Sequence, residues 1–84
     1  MNIQGKIKLI GQTEEIGTKG FTKRTLVVET LETYPQTIPI EFVKERTGLL
    51  DNLFEGQDVN VHVNVRGQEY NGKYYVSLNG WKIE

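Results

Sequence analysis

The most regular pattern in the chain is an alternation. Val59, Val61, Val63 and Val65 take every second position, with Asn60, His62, Asn64 and Arg66 between them. A period of two puts the valines on one face of a pleated strand and the polar residues on the other. The same period runs through residues 3–10, where Ile3, Gly5, Ile7 and Leu9 oppose Gln4, Lys6 and Lys8. Residues 11–20 read as a loop, loosest at Gly17 and Gly20. A second strand follows over 21–31. In it Leu26 and Val28 face the core together with Arg24, while Phe21, Lys23, Thr25 and Val27 face away. Tyr34-Pro35 marks a turn, because proline restricts both itself and the residue before it. In the third strand, 37–43, Ile38, Ile40 and Phe42 point inward and Pro39, Glu41 and Val43 outward. A proline there suits an edge or a bulge.

Over residues 44–54 the period changes. Leu49, Leu50, Leu53 and Phe54 form a stripe at helical spacing, which predicts a short helix. Gly48 weakens it by roughly 1 kcal/mol relative to alanine, and Gly56 ends it. Phe42 and Phe54 read as core. The valine-rich strand of 59–66 then leads through "EYNGKYYVSLNGW", whose Asn71-Gly72 pair predicts a tight hairpin turn. In the last strand, 73–83, Tyr74, Val76 and Leu78 share one face. Tyr75, Ser77, Asn79 and Trp81 take the other, unless a bulge near Gly80 shifts the register. Trp81 reads as core; the side taken by Tyr75 depends on that bulge.

The order β-β-β-α-β-β is that of an all-β protein, a five-stranded OB-fold barrel with one short helix between strands 3 and 4. A chain of 84 residues makes one such domain. Barrels of this kind bind oligonucleotides or oligosaccharides on the face of strands 2 and 3 and through the loops joining strands 1–2 and 4–5.

Composition narrows the chemistry. Hydrophobic residues make up 37% and charged residues 25%, as in a folded domain. With no cysteine there is no disulfide, thiolate zinc site or thiol nucleophile, which fits a cytoplasmic protein. No signal sequence is expected, since residues 1–6 show no basic stretch leading into an apolar one, and no apolar run reaches membrane-helix length. The one histidine, His62, sits mid-strand, and neither a nucleophilic triad nor a metal-ligand spacing surrounds it. The expectation is a protein that is not an enzyme and needs no cofactor or metal.

Net charge is −1, but it is unevenly spread. Residues 17–28 carry Lys19, Lys23 and Arg24 and no acid, whereas 29–58 carry seven acids against Lys44 and Arg46. Single strands of nucleic acid are held by aromatics that stack on bases and cations that follow phosphates. On the OB layout both kinds of residue fall in the ligand regions. Lys19, Phe21, Lys23 and Arg24 belong to the first loop and the start of strand 2, Tyr34 to the turn after it, and Arg66, Tyr70, Lys73 and Tyr74 to the last hairpin. Phe21, Tyr34, Tyr70 and Tyr74 are the candidate base platforms. Lys19, Lys23, Arg66 and Lys73 are the candidate phosphate contacts. Arg24, on the inward side, would have to snorkel out. Against this stands a protein-interaction module, with Tyr70 and Tyr74 as a cross-strand pair and strand 37–43 as a pairing edge. RNA is a third possibility, since no residue visibly reads a 2′-hydroxyl.

The stretches "GKIKLIGQTEEIGTKGFTKRTLVVET", "YPQTIPIEFV" and "EYNGKYYVSLNGWKIE" also resemble a family of small single-OB proteins of bacteria and phages, long catalogued as a domain of unknown function. The resemblance covers nearly the whole chain. It implies sequence-independent single-stranded DNA binding in replication or recombination, in the cytoplasm of a bacterium or an infected host. The family usually has tryptophan where this chain has Phe21, Val43 and Tyr74. Phe21 and Tyr74 keep an aromatic face; Val43 does not, which implies weaker binding or a shifted path for the strand. One OB barrel covers only about 4–16 nucleotides, so a homodimer or larger oligomer is expected. The ending "NGWKIE" lies within the last strand, so no flexible acidic tail is expected.

Overall fold

The computed structural model describes residues 1–84. The elements run β1 (Asn2–Ile10), β2 (Glu14–Ile16), β3 (Phe21–Thr30), β4 (Thr37–Val43), a 3₁₀ helix (Lys44–Leu50), β5 (Asp58–Tyr70) and β6 (Lys73–Ile83). β1 pairs antiparallel with β3 on one edge and with β5 on the other. β3 continues to β4 and β5 to β6, both antiparallel. The ring closes where β4 meets β6 in parallel at the Glu41–Asn79 bridge. This is the five-stranded OB barrel that the order of elements predicts. β2, read as loop from the sequence, is a three-residue strand added on the edge of β3.

β1 can serve two neighbours because it bends. At Gly5 an added Cβ would collide with the carbonyl of Glu29, so glycine is required where β1 crosses β3. Between Ile7 and Leu9 a bulge shifts the register. Leu9 therefore pairs with outward-facing Val27 and is exposed, while Ile10 takes the core side opposite Leu26. The simple alternation holds to Ile7 and fails one bulge later.

The core is Ile7, Leu26, Val28, Ile40, Phe42, Leu50, Val59, Val61 and Val63. The segment after β4 plugs one end of it, but not with the four-residue stripe that the sequence suggests. The helix is 3₁₀ rather than α and stops at Leu50. With three residues per turn, only side chains three apart line up. Leu50 is buried and Leu53 packs on the core, while Leu49 faces solvent and Phe54 is 63% exposed. Phe54 is thus a surface residue, not a core one. The plug is tied down by Arg24. Its Nε donates to the Gly11 carbonyl at 2.8 Å, and its Nη1 donates to Asp51 Oδ1 at 2.8 Å and to the Thr47 carbonyl at 3.3 Å.

β5 and β6 outrun the barrel. Every residue from Asn64 to Val76 is exposed, so the two strands project as a ribbon. Val65 keeps the alternation but has no core beneath it. Asn71 and Gly72 close the ribbon with φ of 52° and 76°, the paired left-handed conformation that an Asn-Gly hairpin supplies. A bulge falls where the register steps from His62–Lys82 to Val63–Gly80, leaving Trp81 as the extra residue. Trp81, read as core from the sequence, keeps the outer face that alternation from Leu78 and Gly80 gives it, and the bulge instead returns Ile83 to the core side opposite Val61. Trp81 is 41% exposed, with its ring centroid 5.1 Å from that of His62.

Candidate nucleic-acid interface

With Leu26, Val28, Ile40 and Phe42 fixed inward, alternation sends Phe21, Lys23 and Thr25 of β3 and Pro39, Glu41 and Val43 of β4 to the outer surface. Phe21 lies across from Ile16 of β2. Lys44, in a left-handed conformation at the end of β4 (φ 55°), sets its Nζ 5.9 Å from the centroid of the Phe21 ring. Such cation–π contacts at exposed sites are worth about 0.5–1 kcal/mol. Lys23 Nζ lies 3.8 Å from Glu41 Oε2, a loose and partly screened ion pair.

The ribbon supplies the facing wall. Its cross-strand pairs alternate in side. Arg66–Ser77, Gln68–Tyr75 and Tyr70–Lys73 share the outer face with Asn79, while Val65–Leu78, Gly67–Val76 and Glu69–Tyr74 continue the core face. Between the walls runs an open groove of about 540 Å³, lined by Phe21, Lys23, Val43 and Lys44 on one side and Arg66, Gln68, Ser77 and Asn79 on the other, with Glu41 between. A smaller hollow of about 350 Å³ continues it from Glu41 and Arg66 to Tyr75.

Of the residues that the sequence nominates, Phe21, Lys23 and Arg66 meet in this groove. Tyr70 and Lys73 lie farther along the same ribbon face, near its tip. Tyr74 is on the opposite face, paired with Glu69, so Tyr70 and Tyr74 do not form the cross-strand pair. Lys19 is exposed in the turn between β2 and β3. Tyr34, 82% exposed, lies in the loop at the far end of the β3–β4 ladder from Phe21, and the ladder from Lys23 to Glu29 alone spans roughly 20 Å at 3.3 Å per residue. Arg24 has its guanidinium occupied by Gly11, Thr47 and Asp51, so it does not reach the groove with Lys23.

Tyr75, Gln68, Lys44 and Glu41 are among the residues of the groove and its continuation that the sequence-derived set lacks. Alternation already placed Tyr75 with Ser77 and Asn79; what it lacked was the bulge position, at Trp81, beyond Tyr75. Nothing in the sequence marks Lys44, whose placement depends on a left-handed backbone. Away from the groove, His62 Nε2 and Glu84 Oε1 are 2.9 Å apart. The hydrogen bond from His62, aided by Lys82, lowers the carboxyl pKa of Glu84 below its ordinary value. No three His, Asp or Glu side chains converge to hold a metal.

Two solved structures share this architecture. One is the SSB domain of a protein from a Synechococcus species, with a TM-score of 0.77 and 13% identity, matching 99% of this chain and 90% of that one. The other is a small single-stranded DNA-binding protein from Streptomyces coelicolor, with a TM-score of 0.58 and 13% identity, matching 100% of this chain and 90% of that one. At that identity the likeness establishes the fold. No curated protein matches the sequence. A family described as a domain of unknown function, DUF3127, matches residues 2–84, and the chain belongs to it.

Proposed function

We propose that this protein binds single-stranded DNA in the groove between β3–β4 and the ribbon. The observation that carries the reading is the pairing within that groove of an aromatic surface, Phe21, with three cations, Lys23, Lys44 and Arg66. Tyr75, Tyr70 and Lys73 extend the same mixture along the ribbon. Aromatic rings hold bases through their π-faces whatever the sequence, and cations hold phosphates. The two neighbours of the same fold are described as single-strand binders, which supports the reading. A role in replication or recombination, in the cytoplasm of a bacterium or phage-infected cell, follows as part of this proposal.

Fluorescence anisotropy of labelled single-stranded and duplex DNA, titrated at low and moderate salt, tests it. Single strands are expected to bind more tightly than duplex, with affinity falling as salt rises because phosphate contacts release counterions. Equal affinity for duplex, or no salt dependence, overturns it. One observation favours a protein-interaction module instead. Val65, Val76 and Tyr74 leave the other face of the ribbon apolar and exposed. A stable complex or homo-oligomer that forms regardless of oligonucleotide, from a protein that binds no oligonucleotide, would select that reading.

A further inference from the structure

We propose that Glu41 reads the bases of a bound strand, favouring those with an exposed amino group over those with a carbonyl in its place. The inference rests on the single-strand reading above. Glu41 stands on β4 where that strand meets the ribbon strand β6, opposite Thr25 and at the bridge to Asn79. It touches the main groove, the smaller hollow that continues it toward Tyr75, and a third hollow between Thr25, Pro39 and Val76. A carboxylate here is the wrong charge for a phosphate path, and like charges brought together disfavour binding. It is tolerated only if the backbone runs along Lys23, Lys44 and Arg66 and the bases turn toward Glu41. Stacking on Phe21 and Tyr75, on either side of it, would present base edges in that way.

Its chemistry is selective where its neighbours' is not. The amides of Gln68 and Asn79 both donate and accept, so they satisfy any base. Lys23, Lys44 and Arg66 can donate to the acceptor atoms that every base carries. An ionised carboxylate only accepts. Lys23 Nζ, at 3.8 Å, is beyond hydrogen-bond length and leaves those acceptor sites open. Cytosine offers its N4 amino group to such an acceptor; uracil and thymine place a carbonyl oxygen there. In a single strand these edges are free to be read.

The test compares labelled oligodeoxycytidine and oligodeoxyuridine of equal length by anisotropy. The two bases have the same ring size and differ at the edge in question, so stacking is matched. Wild type is expected to bind the cytidine strand about tenfold more tightly, the scale of one good side-chain-to-base contact. In Glu41→Gln and Glu41→Ala the ratio should fall to near one, while both strands remain bound. Loss of the negative charge would tighten both strands alike, so the ratio is the readout. Equal binding of the two strands by wild type overturns the role of Glu41 and leaves the single-strand reading standing. A cytidine preference that survives both substitutions also overturns it. Failure of wild type to bind either strand overturns both readings.

Discussion

The ring of Phe42, on β4, lies so close to Gly80, on β6, that a Cβ at position 80 would fall inside the ring's van der Waals envelope. Phe42 is fully buried, and no other residue fits beneath it without displacing the largest side chain of the core. Gly80→Ala is therefore expected to lose about 1–3 kcal/mol, the usual cost of overpacking. Urea denaturation monitored by circular dichroism would show it as a lower midpoint. Phe42→Leu should relieve part of that cost, so the double variant should be more stable than the sum of the two single changes implies.

Arg24 separates a structural arginine from a phosphate-binding one. Arg24→Met keeps the aliphatic stem but removes the donors to Gly11, Thr47 and Asp51. A loss of about 1–3 kcal/mol in stability is expected, from acceptors left unpaired around a half-buried side chain. Titrations of the folded variant should show single-strand affinity and salt dependence unchanged. A drop in affinity without a drop in stability would return Arg24 to the interface.

The two faces of the ribbon give a paired comparison. Phe21→Ala and Tyr75→Ala should each weaken single-strand binding by about 1–3 kcal/mol, the value of one stacked base. Tyr74→Ala, one residue away but on the opposite face, should have little effect, as should Tyr34→Ala. Lys23→Gln and Arg66→Gln should each reduce the slope of log affinity against log salt by about one. Equal losses for Tyr74→Ala and Tyr75→Ala would show that the strand wraps the ribbon.

Glu84 is expected to make stability depend on pH through its contacts with His62 and Lys82. Its carboxyl pKa is lowered from 4.5 by the hydrogen bond from His62 and by Lys82. A depressed carboxyl contributes its full stabilisation above the unfolded value and loses it as pH falls through the lower folded value. Thermal melts of wild type should thus show an acid-side decline, below the ordinary carboxylate value, that is shallower in Glu84→Gln. Parallel pH profiles for the two proteins would remove Glu84 from the linkage.

The barrel was legible in the sequence because its signals are local. The valine alternation, the proline in β4 and the Asn-Gly turn each act within a few residues and agree with one another. Errors arose where a register step or a tertiary choice intervened. The bulge after Ile7 exposes Leu9, and the bulge at Trp81 turns Ile83 inward while the tryptophan stays outside. The helical stripe fails for Phe54 because the helix after β4 is 3₁₀ and ends at Leu50, four residues before it. The site was legible by region but not by face. Phe21, Lys23 and Arg66 come together, whereas Tyr74 and Tyr34 depend on which way a ribbon or loop turns. Alternation put Arg24 on the inward side and left it to snorkel out; its partners Gly11, Thr47 and Asp51, distant along the chain, are what keep it from the interface.

The joint between β4 and β6 has a mechanical consequence. β3 and β4 are joined along a continuous ladder from Lys23–Val43 to Glu29–Thr37, but β4 and β6 meet at the single bridge of Glu41 with Asn79. A hoop fastened by one rivet opens at the rivet, and local opening in a protein likewise starts where the fewest bonds must break. Both residues of that rivet line the groove. A guest lying across Glu41 and Asn79 acts as a clasp on the hoop, so occupancy of the groove and resistance to heat should rise together.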